Sequence, residues 1–141
     1  MTAYLLDVNV LVAMSWPRHR FHDTALRWFR DNHTKGWATC PMVQSGFVRI
    51  VSNPAFSPRA VSPAEAIAAL DLSTQRPTHQ FWPDDVSVPE ALRTMTGRIA
   101  GHRQVSDCYL VALAIQHGGK LATLDKGIAQ LAPPGAVVLI S

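Results

Sequence analysis

The sequence predicts an α/β fold, a mainly parallel sheet of about five short strands with helices on both faces. Three observations predict it. Short apolar runs alternate with longer segments of helical period, as in chains that build parallel sheets. The first run, at 3–7, is apolar almost throughout, as expected of a strand buried on both faces. At 141 residues and 48% hydrophobic composition, the chain is long enough for one core and too short for two ordinary domains. We therefore expect residues 1–141 to form a single domain.

The first half of the chain is predicted to contain two strands and three helices. Trp16-Pro17 ends the first helix, and apolar residues at helical spacing define the second. Gly36 separates that helix from the next strand, and Pro41 suits the first position of the third helix. In order, the predicted elements are strand 3–7, helix 8–15, helix 19–33, strand 37–40 and helix 41–51.

The second half is predicted to contain the remaining strands and helices. Ser62-Pro63 with Glu65 has the pattern of a capped helix start. Ser106 is expected to cap a nearly all-apolar helix, which the glycines after His117 end. The predicted elements are a loop at 54–62, helix 63–74, strand 79–82, helix 88–97, a loop at 101–105, helix 107–116, strand 120–124, a short helical turn and strand 136–140.

Composition restricts the function classes without choosing one. The net charge is +3 and ten of the 13 basic residues are Arg, whose forks bind phosphates and stack on bases. A nucleic-acid partner is therefore permitted, although a merely soluble basic protein has the same charge. Cys40 and Cys108 lack a paired metal-binding spacing and are interpreted as buried thiols. With no run of membrane-spanning length, we expect a cytoplasmic protein without a membrane partner.

Three aspartates are the lead for function. Asp7 follows the first strand, Asp125 follows the strand at 120–124, and Asp107 opens the apolar helix. Because parallel strands end at one edge of a sheet, where ligands bind, these carboxylates are expected to meet there. Carboxylates brought together repel one another unless a divalent cation holds them, which predicts Mg²⁺ or Mn²⁺. Oxygen ligands argue against zinc. The amide of Asn9 is expected to orient Asp7.

Each of these residues also has a plain structural interpretation. Asp commonly ends strands in turns, and Ser-Asp is an ordinary helix start. His19 and His22 have a metal-like spacing, but a solvated or capping role is favoured because they lack partners in a zinc pattern. Asp84-Asp85 is interpreted as an acidic turn.

Aromatic and basic residues suggest an RNA contact. Of the four tryptophans, three are assigned to the core. Trp16 lies in a predicted loop beside Arg18 and Arg20, so these three residues are the candidate substrate-binding group.

Several blocks spread along the chain carry a family resemblance. They are Leu5-Leu6-Asp7-Val8-Asn9-Val10-Leu11, Ala38-Thr39-Cys40-Pro41 with Gly46-Phe47-Val48-Arg49 and Asn53-Pro54, Phe81-Trp82-Pro83-Asp84-Asp85, Ser106-Asp107-Cys108-Tyr109-Leu110, and Leu121-Ala122-Thr123-Leu124-Asp125. Together they resemble the PIN-domain family. Their order and spacing look like the VapC-type toxins of bacterial toxin–antitoxin pairs, and the resemblance covers essentially the whole chain.

The resemblance implies a PIN fold and a metal-dependent endoribonuclease, a hydrolase that cuts RNA phosphodiesters. By position, Asp7, Asp107 and Asp125 match the family's metal-site acids, which bind Mg²⁺ or Mn²⁺. Asn9 and Ser106 match polar positions beside them. The toxin subgroup further implies a homodimer and a cognate antitoxin docked in an apolar groove between helices. Candidate exposed anchors on the early helices are Val12, Met14, Phe21 and Phe29, although such positions more often belong to the core.

One position departs from the family pattern. Gln44 stands where the family normally has Glu, so the site would hold three formal negative charges instead of four. Gln44 is interpreted as a natural variant, a weakened enzyme or an introduced change, and the sequence does not separate these. If it disables the nuclease, the protein is a module that binds RNA or antitoxin without cutting. A phosphoacceptor signalling domain fits less well, because it needs adjacent acids near the first strand and Asp7 stands alone.

Overall fold

The sheet has five strands, all parallel, in the order β3-β2-β1-β4-β5. The computed structural model describes residues 2–141, with every side chain except that of Thr96. The strands are β1 (Tyr4–Leu6), β2 (Trp37–Thr39), β3 (His79–Phe81), β4 (Lys120–Thr123) and β5 (Val137–Leu139). The predicted parallel sheet of five short strands is confirmed. Its order places β1 in the centre, between β2 and β4.

Seven α-helices connect and follow these strands. They are α1 (Val8–Ser15), α2 (His22–Asn32), α3 (Pro41–Val51), α4 (Pro63–Thr74), α5 (Val88–Arg93), α6 (Val105–Gln116) and α7 (Lys126–Leu131). Short 3₁₀ turns occur at His33–Lys35, Thr96–Arg98 and His102–Gln104. Among residues 2–141, no helix combines the length and the apolar character needed to cross a bilayer.

Local sequence explains several of the helix starts. Ser62 and Glu65 form a complete capping box at α4, where Pro63 occupies the first position. Ser87 caps α5 by accepting a hydrogen bond from the Glu90 amide.

Three predicted boundaries were wrong. The helix expected at 19–33 begins at His22. The helix expected to reach Gly97 ends at Arg93 and is followed by a turn. The loop expected at 101–105 is a 3₁₀ turn that continues directly into α6. Ser106 therefore lies inside the first turn of α6 and does not cap it.

The core surrounds the central strands. Leu5 and Leu6 of β1 are fully buried, and α6, which is apolar on most of its surface, packs against β1 and β4. On the other helices, α1 contacts α2 and α3, and α3 contacts α4. Both α1 and α3 begin directly after a strand, so their first residues lie at the carboxyl edge of the sheet. That edge carries the candidate site.

Candidate active site at the carboxyl edge of the sheet

Asp7 occupies the centre of this edge, directly after β1. Its side chain is only 6% exposed. Oδ1 accepts a hydrogen bond from the Val8 amide at 2.7 Å, which caps α1, and Oδ2 accepts one from the Thr123 hydroxyl at 2.7 Å. Burial raises the pKa of Asp7, these two bonds lower it, and the charge of Asp125 raises it again. The carboxylate is thus held in one orientation at an unfavourable site for a charge.

Thr123, the last residue of β4, connects three residues of the edge. Its fully buried hydroxyl donates to Asp7 and accepts from Asn9 Nδ2 at 3.3 Å and from the Asp125 amide at 3.1 Å. Asn9 Oδ1 accepts from the Leu124 amide at 3.3 Å. The amide of Asn9 is therefore linked to Asp7 through the Thr123 hydroxyl and not by a direct hydrogen bond. Sequence reasoning missed Thr123, whose only signal is a hydroxyl inside an apolar run that ends in Asp.

Asp125 and Asp107 approach Asp7 from two other elements. Asp125 caps α7, and its Oδ1 accepts from the Gly127 amide at 2.7 Å. Asp107 lies half-buried in the first turn of α6. Burial, followed by the charges of Asp7 and Asp125, raises the pKa of Asp107 to about 6. All the causes that act on Asp107 within the described part of the chain raise its pKa. The three acids are therefore near enough to act on one another.

These acids suit a hard cation by the chemistry of their donors, because all are carboxylate oxygens. Their side chains do not meet at ligand distances: within residues 2–141, no group of three or more His, Cys, Asp or Glu side chains is arranged to hold an ion. Both Asp7 oxygens and one Asp125 oxygen accept the hydrogen bonds described above. Binding of one ion by all three residues therefore requires rotation of side chains.

Gln44 belongs to a neutral network on the other side of β1. Its Nε2 donates to the Thr39 hydroxyl at 3.0 Å, and that hydroxyl lies 2.8 Å from His79 Nε2. The backbone of Thr74 also hydrogen-bonds the His79 ring, while burial lowers the pKa of His79. Since Thr39 accepts from Gln44, its own proton is free to point at His79 Nε2. This arrangement suits a neutral imidazole, and the amide of Gln44 is a hydrogen-bond donor within it.

Comparisons with known proteins establish the family. The family model for the PIN domain matches residues 4–133. This chain belongs to the PIN-domain family. It is similar to Ribonuclease VapC39 of Mycobacterium tuberculosis (strain ATCC 25618 / H37Rv), at 44% identity over 99% of this chain and 100% of that protein. Ribonuclease VapC44 of the same strain is 41% identical, over 94% of this chain and 92% of its own length.

Solved structures share the PIN fold at low sequence identity. VapBC2 from Rickettsia felis, bound to a DNA fragment from its promoter, superposes with a TM-score of 0.71 at 14% identity, over 99% of this chain and 100% of the other. FitAcB from Neisseria gonorrhoeae gives a TM-score of 0.62 at 19% identity, over 98% of this chain and 96% of the other. These likenesses concern the fold.

The remaining candidate residues of this PIN domain are Ser106, beside Asp107, and three residues near the end of α1. Ser106 is exposed on α6. Trp16 and Arg18 line a cavity beyond the end of α1, whereas the Arg20 guanidinium lies 4.9 Å from the centre of the Phe21 ring.

The two histidines with a metal-like spacing, for which a solvated or capping role was favoured, make contacts with the backbone. His19 Nδ1 accepts from the Phe21 amide, and His22 Nδ1 lies 2.7 Å from the Ala13 carbonyl oxygen. Of the acidic turn, Asp85 pairs with His117 at 3.1 Å. Asp84 acts on the Cys40 thiol, whose pKa is raised to about 12, mainly by burial.

Two of the four candidate anchors for an antitoxin belong to the core instead. Val12 and Phe29 are buried in the core. Phe21 is exposed, and Met14 lines a cavity between helices. The helical period identifies an apolar face but does not show which of its positions are buried. It therefore did not separate Val12 and Phe29 from Met14 and Phe21.

Proposed function

We propose that this PIN domain is a metal-dependent endoribonuclease, the toxin of a toxin–antitoxin pair, acting on RNA in the cytoplasm. The observation that carries the proposal is the electrostatic coupling of Asp7, Asp107 and Asp125 at one sheet edge, where no described residue offsets the raised pKa of Asp107. A divalent cation bound there would offset the mutual repulsion of these carboxylates. The similarity to Ribonuclease VapC39 and Ribonuclease VapC44 supports RNA as the substrate.

Each residue then has a defined role. Asp7 and Asp107, helped by Asp125, would hold Mg²⁺ or Mn²⁺. When bound, such an ion makes water acidic enough to act as a nucleophile and stabilises negative charge on the scissile phosphate. Thr123 fixes the Asp7 carboxylate, and Asn9 fixes Thr123. We assign Ser106 a supporting polar role at the entrance, because it is exposed beside Asp107.

An antitoxin segment would dock in a groove between α1, α2 and α4. A cavity of about 200 Å³ there is lined by Leu11 and Met14 of α1, Leu26 of α2 and Arg76 beyond α4. The mixture of apolar side chains and one Arg suits an amphipathic segment with an acidic residue. Substitution of Met14 by Lys is expected to prevent binding of the cognate antitoxin while RNA cleavage persists.

A homodimer is also proposed, on the basis of the toxin subgroup. Sedimentation velocity at micromolar concentration is the measurement, with a dimer as the expected result. A strict monomer at that concentration would contradict it.

The deciding experiment is cleavage of total RNA by purified protein, with and without Mn²⁺ and with a chelator. Asp7→Asn is expected to lower the cleavage rate at least about 1,000-fold, because several kcal/mol of transition-state stabilisation depend on the ion. Asp23→Asn, which changes an exposed acid in the first turn of α2, is the matched control. A thermal unfolding midpoint that rises with Mn²⁺ in the parent and not in Asp7→Asn gives a second readout. An unchanged cleavage rate in Asp7→Asn would show that Asp7 takes no part in the mechanism.

A second candidate function is a PIN module that binds RNA or antitoxin without cutting. The observation in its favour is that Gln44 contributes a hydrogen-bond donor to Thr39 where the family has a carboxylate. Metal titration and cleavage by the parent and by Gln44→Glu separate the two. Cleavage and measurable metal affinity in the parent support the nuclease, whereas cleavage only after Gln44→Glu supports the binding module.

A further inference from the structure

A cavity of about 340 Å³ lies outside the acidic edge, where the far ends of α1 and α3 meet. Residues that follow the two helices line it. From the α1 side come Trp16, Arg18 and His19, and from the loop after α3 come Phe56, Ser57 and Arg59. None of the lining residues is acidic.

The walls of this cavity are held by local contacts. The rings of Trp16 and Phe56 pack edge to face, with centroids 5.1 Å apart. The loop that carries Phe56 is folded by a hydrogen bond from the Phe56 amide to the Asn53 carbonyl and by one from the Arg59 amide to Ser57 Oγ at 3.1 Å. Because these contacts already hold the lining residues in place, the residues lose little conformational freedom when a ligand binds.

The lining groups have the chemistry that recognises unpaired nucleotides. Aromatic rings stack on bases, and Arg binds phosphate oxygens with its planar fork. Arg18 and Arg59 are both exposed at the cavity. Because His19 Nδ1 accepts from the Phe21 amide, the neutral ring carries its proton on Nε2, which is then a further donor. An acidic peptide could form ion pairs with Arg18 and Arg59, but its carboxylates offer no planar ring to stack on Trp16 or Phe56.

The cavity is also within reach of the acidic edge along one helix. Asp7 caps the start of α1 and Trp16 caps its end. The eight residues between them span about 12 Å, a distance that a few nucleotides of extended strand can cover. We propose that this cavity binds one unpaired base and its neighbouring phosphates of the RNA strand whose cleavage is proposed above, so that it helps to determine where the strand is cut. The inference rests on that proposed function.

The test is binding of a fluorescein-labelled single-stranded RNA of about 12 nucleotides and mixed sequence, followed by anisotropy in chelator so that no cutting occurs. The double substitution Arg18→Gln with Arg59→Gln changes only exposed side chains. It is expected to weaken binding at least tenfold and to reduce the slope of log affinity against log salt by about 0.7 per lost phosphate contact. Trp16→Ala is expected to weaken binding about tenfold with an unchanged slope.

Arg30→Gln, an exposed substitution on α2 that lies outside the cavity, is the matched control and should bind as the parent does. Parallel cleavage assays with Mn²⁺ should show a changed set of cut positions for the arginine pair. Parent-like affinity, salt slope and cut positions in that pair would overturn the cavity proposal and leave the nuclease intact. If the parent neither binds nor cuts RNA, the proposed function and the cavity proposal both fail.

Discussion

Two buried threonines on either side of the central strand make a direct comparison. Thr39 ends β2 and Thr123 ends β4, and both are 0% exposed. The Thr39 hydroxyl joins two uncharged side chains, Gln44 and His79, whereas the Thr123 hydroxyl donates to the carboxylate of Asp7. The hydrogen-bond network around Thr39, called the neutral half here, is therefore uncharged, whereas the network around Thr123, called the charged half, contains a carboxylate.

The difference shows how one sheet edge supports a charged site. In the neutral half, uncharged side chains hydrogen-bond one another, and the bond from Gln44 to Thr39 connects α3 to β2. The charged half satisfies Asp7 in the same way but leaves Asp107 with neighbours that only raise its pKa. The cation-binding function proposed above would explain this unfavourable arrangement. The uncharged Gln44 adds no negative charge to the neighbouring network.

Removal of the two hydroxyls gives the largest expected effect. Thr123→Val should lower the free energy of unfolding by about 3 kcal/mol at pH 7, because it removes one of the two hydrogen bonds to a buried carboxylate. Thr39→Val should cost about 1 to 2 kcal/mol, the range for neutral partners. Urea denaturation of both variants and the parent measures the difference. Equal costs would show that the two halves do not differ in the way described.

The neutral half is tested by Gln44→Glu. A carboxylate at position 44 would accept a hydrogen bond from the Thr39 hydroxyl, so that His79 Nε2 must donate to Thr39 Oγ1. The pKa of His79 should therefore rise, as measured by NMR titration of the ring. If the pKa of His79 in the folded variant exceeds its unfolded value of about 6.5, protonated His79 stabilises the variant below pH 6.5. This contribution is lost as pH rises through the folded-state pKa. The substitution should therefore cost about 1 kcal/mol at pH 8 and less at pH 5.5. Gln44→Met adds no charge and should leave the pKa of His79 low.

The charged half is tested by Asp107→Asn, with the smallest expected effect. The folded-state pKa of Asp107 is about 6, above the unfolded value of 3.8, so the parent loses stability as pH rises from about 4 to 6 and remains lower above it. At pH 7.5 in chelator, Asp107→Asn should be more stable than the parent by about 1 kcal/mol, after allowance for solvent screening of a half-exposed group. At pH 4 the two should agree. Mn²⁺ should reduce this difference in stability at pH 7.5, because the ion binds and stabilises only the parent.

Much of the fold and part of the site were predictable from local pattern. The apolar strands placed Asp7 and Asp125 at strand ends, and the parallel sheet brought those ends to one edge. The start of α6 was predicted wrongly, because the preceding 3₁₀ turn extends the helix and removes Ser106 from the cap. The hydroxyls of Thr39 and Thr123 were not predicted as connecting groups, since a β-branched residue in a strand needs no functional reason.

The sequence by itself determined the alternation of strands and helices, the aspartates that follow or open them, and the exceptional Gln44. Only the tertiary structure decided which polar groups are partners. Asn9 contacts the Thr123 hydroxyl because the pairing of β1 with β4 makes these side chains neighbours. Gln44 of α3 contacts Thr39 at the end of β2. Residues more than a hundred positions apart share a hydrogen bond here, and no local pattern encodes that distance.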